Sequence, residues 1–236
     1  GMGGGGKTTL AQLVYNDGRI KERFGLQMWV CVGESFDAKV ILQAMIEQVT
    51  EEQRSFSTLE AMSSFLQEKM RPKKFLLVLD DLWNEDESKW EKIKPLFVRG
   101  KLGNKIIVTT RSETVASAAS AIGTVAVHKL QGLQDDDCWT LFKQRAFRFE
   151  REEDNPELVE IGRGIIKKCG GLPLAAKALG SLMNSKIGKA EWLAVKSNEI
   201  WKLSDDKNGI LPALKLSYDH LPSHLKRCFL YCSLFP

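Results

Sequence analysis

The stretch "GMGGGGKTTL", residues 1–10, places five glycines in its first six positions and follows them with Lys7, Thr8 and Thr9. Glycine loses more conformational freedom on ordering than any other residue, so such a run is tolerated where the backbone takes unusual dihedrals or approaches another molecule closely. The spacing fits the pattern G-x-x-x-x-G-K-[ST], whose glycines let successive backbone N–H groups point at a phosphate. The stretch therefore predicts a phosphate-binding loop rather than a flexible glycine-rich tail.

The residues of the predicted loop divide the binding of a nucleotide between them. Lys7 neutralises the terminal phosphates, and the Thr8 hydroxyl binds Mg²⁺. The helix predicted to begin at Lys7 directs its N-terminal dipole at the same anion. The predicted nucleotide contacts in this stretch are Gly1, Gly3, Gly4, Gly5, Gly6, Lys7, Thr8 and Thr9.

A phosphate loop also needs an acidic metal ligand from elsewhere in the chain, and "FLLVLDD", residues 75–81, provides it. Five apolar residues predict a buried strand, and open α/β sheets place their ligands at the carboxyl ends of such strands. Asp80 is the predicted metal ligand, and Asp81 is predicted to polarise the attacking water. The alternative is a strand that simply ends in a polar turn, which the phosphate loop argues against.

The stretch "KIIVTTR", residues 105–111, repeats this arrangement, with an apolar strand followed by Thr109, Thr110 and Arg111. A guanidinium binds phosphate oxygens in a bidentate fashion, so an arginine beside a nucleotide can detect the γ-phosphate. Arg111 is therefore predicted to join Lys7 and Asp81 in the catalytic set. The alternative is an ordinary surface arginine.

The order of these segments predicts an α/β fold for the first half of the chain. Candidate strands cover residues 26–32, 74–80, 105–110 and 124–130, with amphipathic stretches between them. Apolar strands separated by helices indicate a parallel sheet covered on both faces. Strand signals cease after about Gly132, and the later part of the chain is predicted to be helical, with helices that start at Pro156 and Pro173. This change predicts a domain boundary near residue 131. A further boundary is predicted near residues 204–209.

Composition excludes several classes of protein. Of 236 residues 43% are hydrophobic, which is enough for one or two domains with a real core. The 34 basic and 30 acidic residues give a net charge of +4 with small, isolated basic clusters, so direct binding of nucleic acid is not expected. Apolar runs fall short of the roughly 18 residues of a transmembrane segment, and none is predicted.

The cysteines and tryptophans are predicted to be structural. Cys228 and Cys232 are separated by one helical turn without a second ligand pair, so buried reduced thiols are favoured over zinc or a disulfide. Reduced thiols in turn favour a reducing compartment, and we expect a cytoplasmic protein. The six tryptophans are expected to pack in the core rather than to form a stacking surface.

The motifs taken together resemble a known family. In order, "GMGGGGKTTLA", "FGLQMWVCV", "FLLVLDDLW", "KIIVTTR", "CGGLPLAAKALG" and "CFLYCSLFP" are similar to the motifs of the NB-ARC nucleotide-binding module of plant intracellular immune receptors. Trp83 after the paired aspartates resembles the coiled-coil subclass. The resemblance implies a P-loop NTPase domain at residues 1–130, a helical domain at 131–205 and the start of a winged-helix domain at 206–236. It also implies that Pro173 of the "GLPL" motif packs on the adenosine.

The chain departs from the family pattern at both ends. The family has an apolar strand before the phosphate loop, so the parallel sheet is expected to lack its first strand, between the strands ending at Asp80 and Thr110. The Met-His-Asp motif of the winged-helix domain is also missing, and that domain is expected to be truncated. The resemblance implies that coiled-coil and leucine-rich-repeat domains outside this fragment contact it within the same molecule.

These observations predict an ADP/ATP-binding molecular switch with slow, Mg²⁺-dependent ATP hydrolysis, part of a plant disease-resistance receptor. In the family, ADP holds a closed state and ATP favours an open state, for which a homo-oligomer is expected. One alternative is a P-loop kinase or another turnover ATPase, although neither an acceptor pocket nor a basic lid is evident. Another alternative is a structural adaptor without nucleotide, against which the loop, Asp80 and Arg111 argue.

Overall fold

A computed structural model describes residues 1–33, 36–98, 103–119, 123–147, 155–186, 188–202 and 210–235. The chain divides into two compact units, Gly1–Leu130 and Gln131–Pro236. The first unit combines a parallel sheet with helices, and the described part of the second is helical. The predicted α/β fold with a parallel sheet, followed by helices, is confirmed.

The first unit contains a three-stranded sheet with helices between its strands. The strands are β1 (Leu26–Gly33), β2 (Phe75–Leu82) and β3 (Lys105–Val108). The helices are α1 (Lys7–Asn16), α2 (Gly18–Arg23), α3 (Ala38–Thr50), α4 (Leu59–Met70), α5 (Glu87–Ile93), α6 (Pro95–Val98) and α7 (Glu113–Ala118). The strands predicted at residues 26–32, 74–80 and 105–110 are therefore present.

Strand β2 lies at the centre of the sheet because its residues are apolar on both faces. Residues 75–79 are all buried, and they pair in parallel with β1 on one side and with β3 on the other. Val78 faces Trp29 in β1 and Ile107 in β3. Since all three strands run in the same direction, their carboxyl ends share one edge of the sheet, where open α/β sheets bind ligands.

The direct pairing of β2 with β3 corrects the expectation that a missing strand would leave a gap between them. Leu77 faces Ile106, and Leu79 faces Val108. The ladder continues beyond β3, since the Thr109 N–H donates to the Leu79 carbonyl at 3.0 Å and the Leu82 N–H donates to the Thr109 carbonyl at 2.9 Å. Pairing satisfies buried N–H and C=O groups that a gap would leave without partners.

The predicted strand at residues 124–130 is wrong. These residues carry no strand assignment, and the alternating Val125 and Val127 are 40% and 60% exposed. A strand in a sheet is stabilised by burying at least one face against neighbours. Neither face of residues 124–130 is buried, so this segment passes over the surface without joining the sheet.

Side chains from the sheet and the surrounding helices form the core of the first unit. Met28 and Leu77 of the sheet pack with Leu42 of α3, Leu66 of α4 and Trp90 of α5, and all five are fully buried. These helices bury a stripe of apolar residues, as amphipathic helices on a sheet do. The core thus fixes the strands whose carboxyl ends carry the predicted site residues.

The second unit is built from helices in its described residues. They are α8 (Asp135–Ala146), α9 (Pro156–Ile166), α10 (Pro173–Asn184), α11 (Lys189–Lys196), α12 (Ile210–Asp219) and α13 (Ser223–Cys232), with 3-10 turns at Lys167–Cys169 and Glu199–Lys202. Proline opens α9 and α10, as predicted, because its fixed φ and missing N–H suit the first helical position. The predicted boundary at residues 204–209 lies outside the described residues.

A close approach of α8 and α10 explains one glycine of the helical unit. A Cβ atom on Gly180 would lie 2.5 Å from the Phe142 carbonyl oxygen, so only glycine fits between the two helix backbones. Trp192, Leu179 and Ile165 complete the buried core around this crossing. In the part of the chain that the structure describes, no helix is long and apolar enough to cross a membrane.

The cysteine prediction is only partly correct. All five thiols are free, but Cys228 and Cys232 are exposed rather than buried. Helix α13 also exposes Phe229 and Tyr231, because it packs little of its surface against the other described residues. The buried thiols are those of Cys138 and Cys169, and burial raises the pKa of Cys169 to about 12.

Candidate nucleotide-binding site

The glycine-rich loop runs directly into α1 and is shaped by left-handed glycines. Gly4 has a φ of 73° and Gly6 a φ of 88°, in a region that other residues rarely adopt. Gly6 is the N-cap of α1 and offers no side chain to cover the first N–H groups of the helix. These N–H groups and the positive end of the helix dipole are available to an anion.

Lys7 folds back over the loop that precedes it. Its ammonium group donates to the carbonyls of Gly1 at 2.9 Å and Met2 at 2.7 Å. Partial burial is the main cause that lowers the pKa of Lys7, followed by the positive charge of Arg111, while the carboxylates of Asp81 and Asp80 oppose the shift. A phosphate bound in the loop would place a negative charge near both Lys7 and Arg111 and so reduce the repulsion between them.

Thr8 and Asp80 meet at the carboxyl end of β2. The Thr8 hydroxyl donates to the Asp80 carboxylate at 2.9 Å, which joins the first turn of α1 to the central strand. Asp80 is only 6% exposed. A hydroxyl and a carboxylate side by side suit Mg²⁺, which uses one or two protein oxygens and completes its shell with water and phosphate. Among the described residues, no group of three or more His, Cys, Asp or Glu side chains is placed to hold a metal ion.

Thr109 is a site residue to which the sequence analysis gave no role. Its hydroxyl donates to the Asp80 carboxylate at 2.5 Å and accepts from the Asp81 N–H at 2.9 Å. The side chain is buried beside Asp80. Thr109 thus orients the carboxylate of one aspartate and the backbone of the other. The sequence signal that could have identified Thr109 was its position as a polar residue directly after the apolar run of β3.

Asp81 differs from Asp80 in both backbone and exposure. Its φ is 53°, and such left-handed residues other than glycine occur preferentially at functional sites. Its side chain is 42% exposed, so it faces outward where the Asp80 carboxylate is enclosed. The chain therefore presents two adjacent carboxylates in two environments, one facing Thr8 and one facing solvent near Arg111.

Arg111 lies close to three groups of the site. Its guanidinium carbon is 4.5 Å from the centre of the Trp83 ring, and its Nε is 4.0 Å from an Asp81 carboxylate oxygen. A Cβ atom added to Gly3 would lie 3.3 Å from the Arg111 Nη1, so the loop passes close to the guanidinium. The structure thus brings Arg111 to the loop. The expectation that the tryptophans pack in the core is wrong for Trp83, which is 39% exposed.

The remaining predicted contacts occupy less central positions. Gly1 lies beside the residues that follow β3, with its nitrogen 3.0 Å from the Thr110 carbonyl oxygen and 3.1 Å from that of Arg111. Thr9 is exposed on α1. Pro173 is half-buried at the start of α10 in the second unit, and its contact with adenosine stays a prediction.

Comparison with known proteins identifies similar sequences over the whole chain. Residues 1–152 match the model of the NB-ARC domain. The disease resistance protein RGA2 of Solanum bulbocastanum is 46% identical over 239 residues, and a relative from the same species, RGA4, is 47% identical over 239 residues. The disease resistance RPP13-like protein 4 of Arabidopsis thaliana is 36% identical over 241 residues. The chain is covered completely in each case and spans 24%, 24% and 28% of these relatives.

Proposed function

The chain belongs to the NB-ARC family, and we propose that it is the ADP/ATP-binding switch of a plant immune receptor, with slow Mg²⁺-dependent ATP hydrolysis. The observation that carries the proposal is the hydrogen bond between Thr8 and Asp80, because it joins the phosphate loop to the predicted metal ligand. The relatives named as disease resistance proteins support the biological role.

In the proposed site, each residue acts on the phosphates through its own chemistry. Bound Mg²⁺ would neutralise charge on the β- and γ-phosphates, held by Thr8 and Asp80. Lys7 would exchange its loop carbonyls for phosphate oxygens, forming charge-assisted hydrogen bonds. Asp81, with its exposed carboxylate, would orient the attacking water, and Arg111 would bind the γ-phosphate.

The remaining parts of the proposal concern the whole receptor. Residues 1–130 form the nucleotide-binding domain, residues 131–205 a helical domain whose Pro173 packs on adenosine, and residues 206–236 begin a winged-helix domain. ADP holds the receptor in a closed state, and coiled-coil and leucine-rich-repeat domains of the same molecule are intramolecular partners of this chain. The receptor acts in the cytoplasm, and its ATP state assembles into a homo-oligomer.

Steady-state phosphate release separates this switch from a kinase or another turnover ATPase. Kinases turn over at roughly 1 to 100 per second. The full-length protein, assayed with saturating Mg²⁺ and ATP, is expected to release phosphate far more slowly than this range. An Asp81→Asn protein measured alongside reports any contaminating ATPase. A rate within the kinase range that Asp81→Asn abolishes would contradict the switch.

A further inference from the structure

The exposed face of Trp83 has a defined partner in the site. Trp83 directly follows β2, and Arg111 follows the end of β3, so parallel pairing of the two strands brings them to one edge of the sheet. The separation of 4.5 Å between the guanidinium carbon and the ring centre is well within the roughly 6 Å of a cation–π interaction. The exposed Trp83 side chain thus contacts Arg111, the residue predicted to bind the γ-phosphate.

The contact with Asp81 is weaker than the contact with the ring. The 4.0 Å between Arg111 Nε and the Asp81 carboxylate exceeds hydrogen-bonding distance, and both side chains are about half exposed. Ion pairs of this kind contribute little in water. A cation–π contact is not a hydrogen bond, so the ring takes none of the N–H donors of the guanidinium as a hydrogen-bond partner would. The ring can therefore fix Arg111 without occupying the donors that a phosphate needs.

The loop restricts the guanidinium from a second direction. The 3.3 Å from a Cβ built on Gly3 to the Arg111 Nη1 leaves little space for a larger residue at this position. The guanidinium therefore lies close both to an aromatic ring and to the backbone that is predicted to hold the phosphates. Such a position limits the rotamers of a long side chain before any ligand binds, which reduces the entropy lost on binding.

We propose that Trp83 is a positioning residue for Arg111, holding the guanidinium over its ring beside Gly3 so that its N–H donors are ready for the γ-phosphate. This inference rests on the proposed function, in which Arg111 distinguishes ATP from ADP. Removing the ring leaves a mobile arginine that must be ordered by the nucleotide itself. The loss falls on nucleotides that carry a third phosphate, and ADP binding is unchanged.

Calorimetric titration of the full-length protein with Mg²⁺ and either ADP or the slowly hydrolysed analogue ATPγS tests the proposal. Trp83→Leu is expected to weaken ATPγS binding by about two- to fivefold, the range given by an exposed cation–π interaction. ADP affinity should equal that of the wild type, which also shows that the loop is intact. Trp83→Phe keeps an aromatic face and should restore most of the ATPγS affinity.

A double-mutant cycle with Arg111→Ala assigns the effect to the proposed contact. In the Arg111→Ala background, Trp83→Leu should produce no further loss of ATPγS affinity. A full additional loss in that background would overturn the proposal, because Trp83 would then act without Arg111. If Arg111→Ala reduces the preference for ATPγS while Trp83→Leu alone does not, the role of Trp83 is wrong and that of Arg111 stands. If Arg111→Ala leaves the preference unchanged, both roles are wrong.

Discussion

Asp81→Asn is expected to slow ATP hydrolysis by about 10²-fold, the lower end of what a positioned acid–base group contributes, and to leave Mg²⁺–ATP affinity nearly unchanged. Asparagine is well suited to this test, because Asp81 has a φ of 53° and Asn and Asp are enriched among left-handed residues. The backbone hydrogen bond from Asp81 to Thr109 should therefore persist. Single-turnover hydrolysis and calorimetry measure the two quantities separately. In the full receptor, the variant should prolong the ATP state and favour activation.

Asp80→Asn is the matched comparison, because it makes the same chemical change one residue earlier. The Asp80 carboxylate is enclosed and accepts hydrogen bonds from Thr8 and Thr109. Its replacement should weaken the Mg²⁺-dependent part of ATP binding, while binding measured without the metal changes little. An equal loss of Mg²⁺–ATP affinity in both variants would show that the division of labour between the two aspartates is wrong.

Lys7→Ala is expected to weaken ADP binding by about one to two decades. Hydrogen bonds between an ammonium and phosphate oxygens contribute about 1.5 to 3 kcal/mol, and each 1.4 kcal/mol corresponds to a factor of ten. Stability should change little, because the carbonyls that Lys7 contacts belong to the exposed residues Gly1 and Met2 and can bind water instead. Calorimetry of ADP binding to the full-length protein measures the effect.

Lys39→Ala provides the control for the loss of one positive charge. Lys39 is exposed near the start of α3, and its removal should leave ADP affinity unchanged. Equal ADP affinities of the wild type and Lys7→Ala, with both proteins folded, would remove Lys7 from the site. A similar loss in both lysine variants would instead indicate an effect of net charge.

The sequence was sufficient where local pattern decides structure. The apolar run at residues 75–79 predicted a central strand, since such a run is stable only when both faces are covered. The β-branched residues Val125 and Val127 also favoured a strand at residues 124–130, but residue type does not show whether a sheet edge is available, and Val127 remained exposed. The pairing of β2 with β3 was also missed, because the order of strands depends on which backbone edges meet in the folded chain.

The same distinction holds for the site. Lys7, Thr8 and Asp80 were predicted from motif spacing, and the structure brings Thr8 and Asp80 into contact. Thr109 was visible as a polar strand end, but its two hydrogen bonds follow from the register between strands, which the sequence does not specify. The contact between Arg111 and the Trp83 ring depends on the same register, and an exposed tryptophan contradicts the usual expectation that large aromatic residues are buried.

The proposed function requires that this chain bind adenine nucleotide as the resident ligand of a switch. Mass spectrometry of the small molecules released on denaturing the full-length protein, purified without added nucleotide, measures this directly. We expect ADP in a near-stoichiometric amount from the wild type and much less from Lys7→Ala. A folded wild-type protein that releases neither ADP nor ATP would show that the proposed switch is wrong.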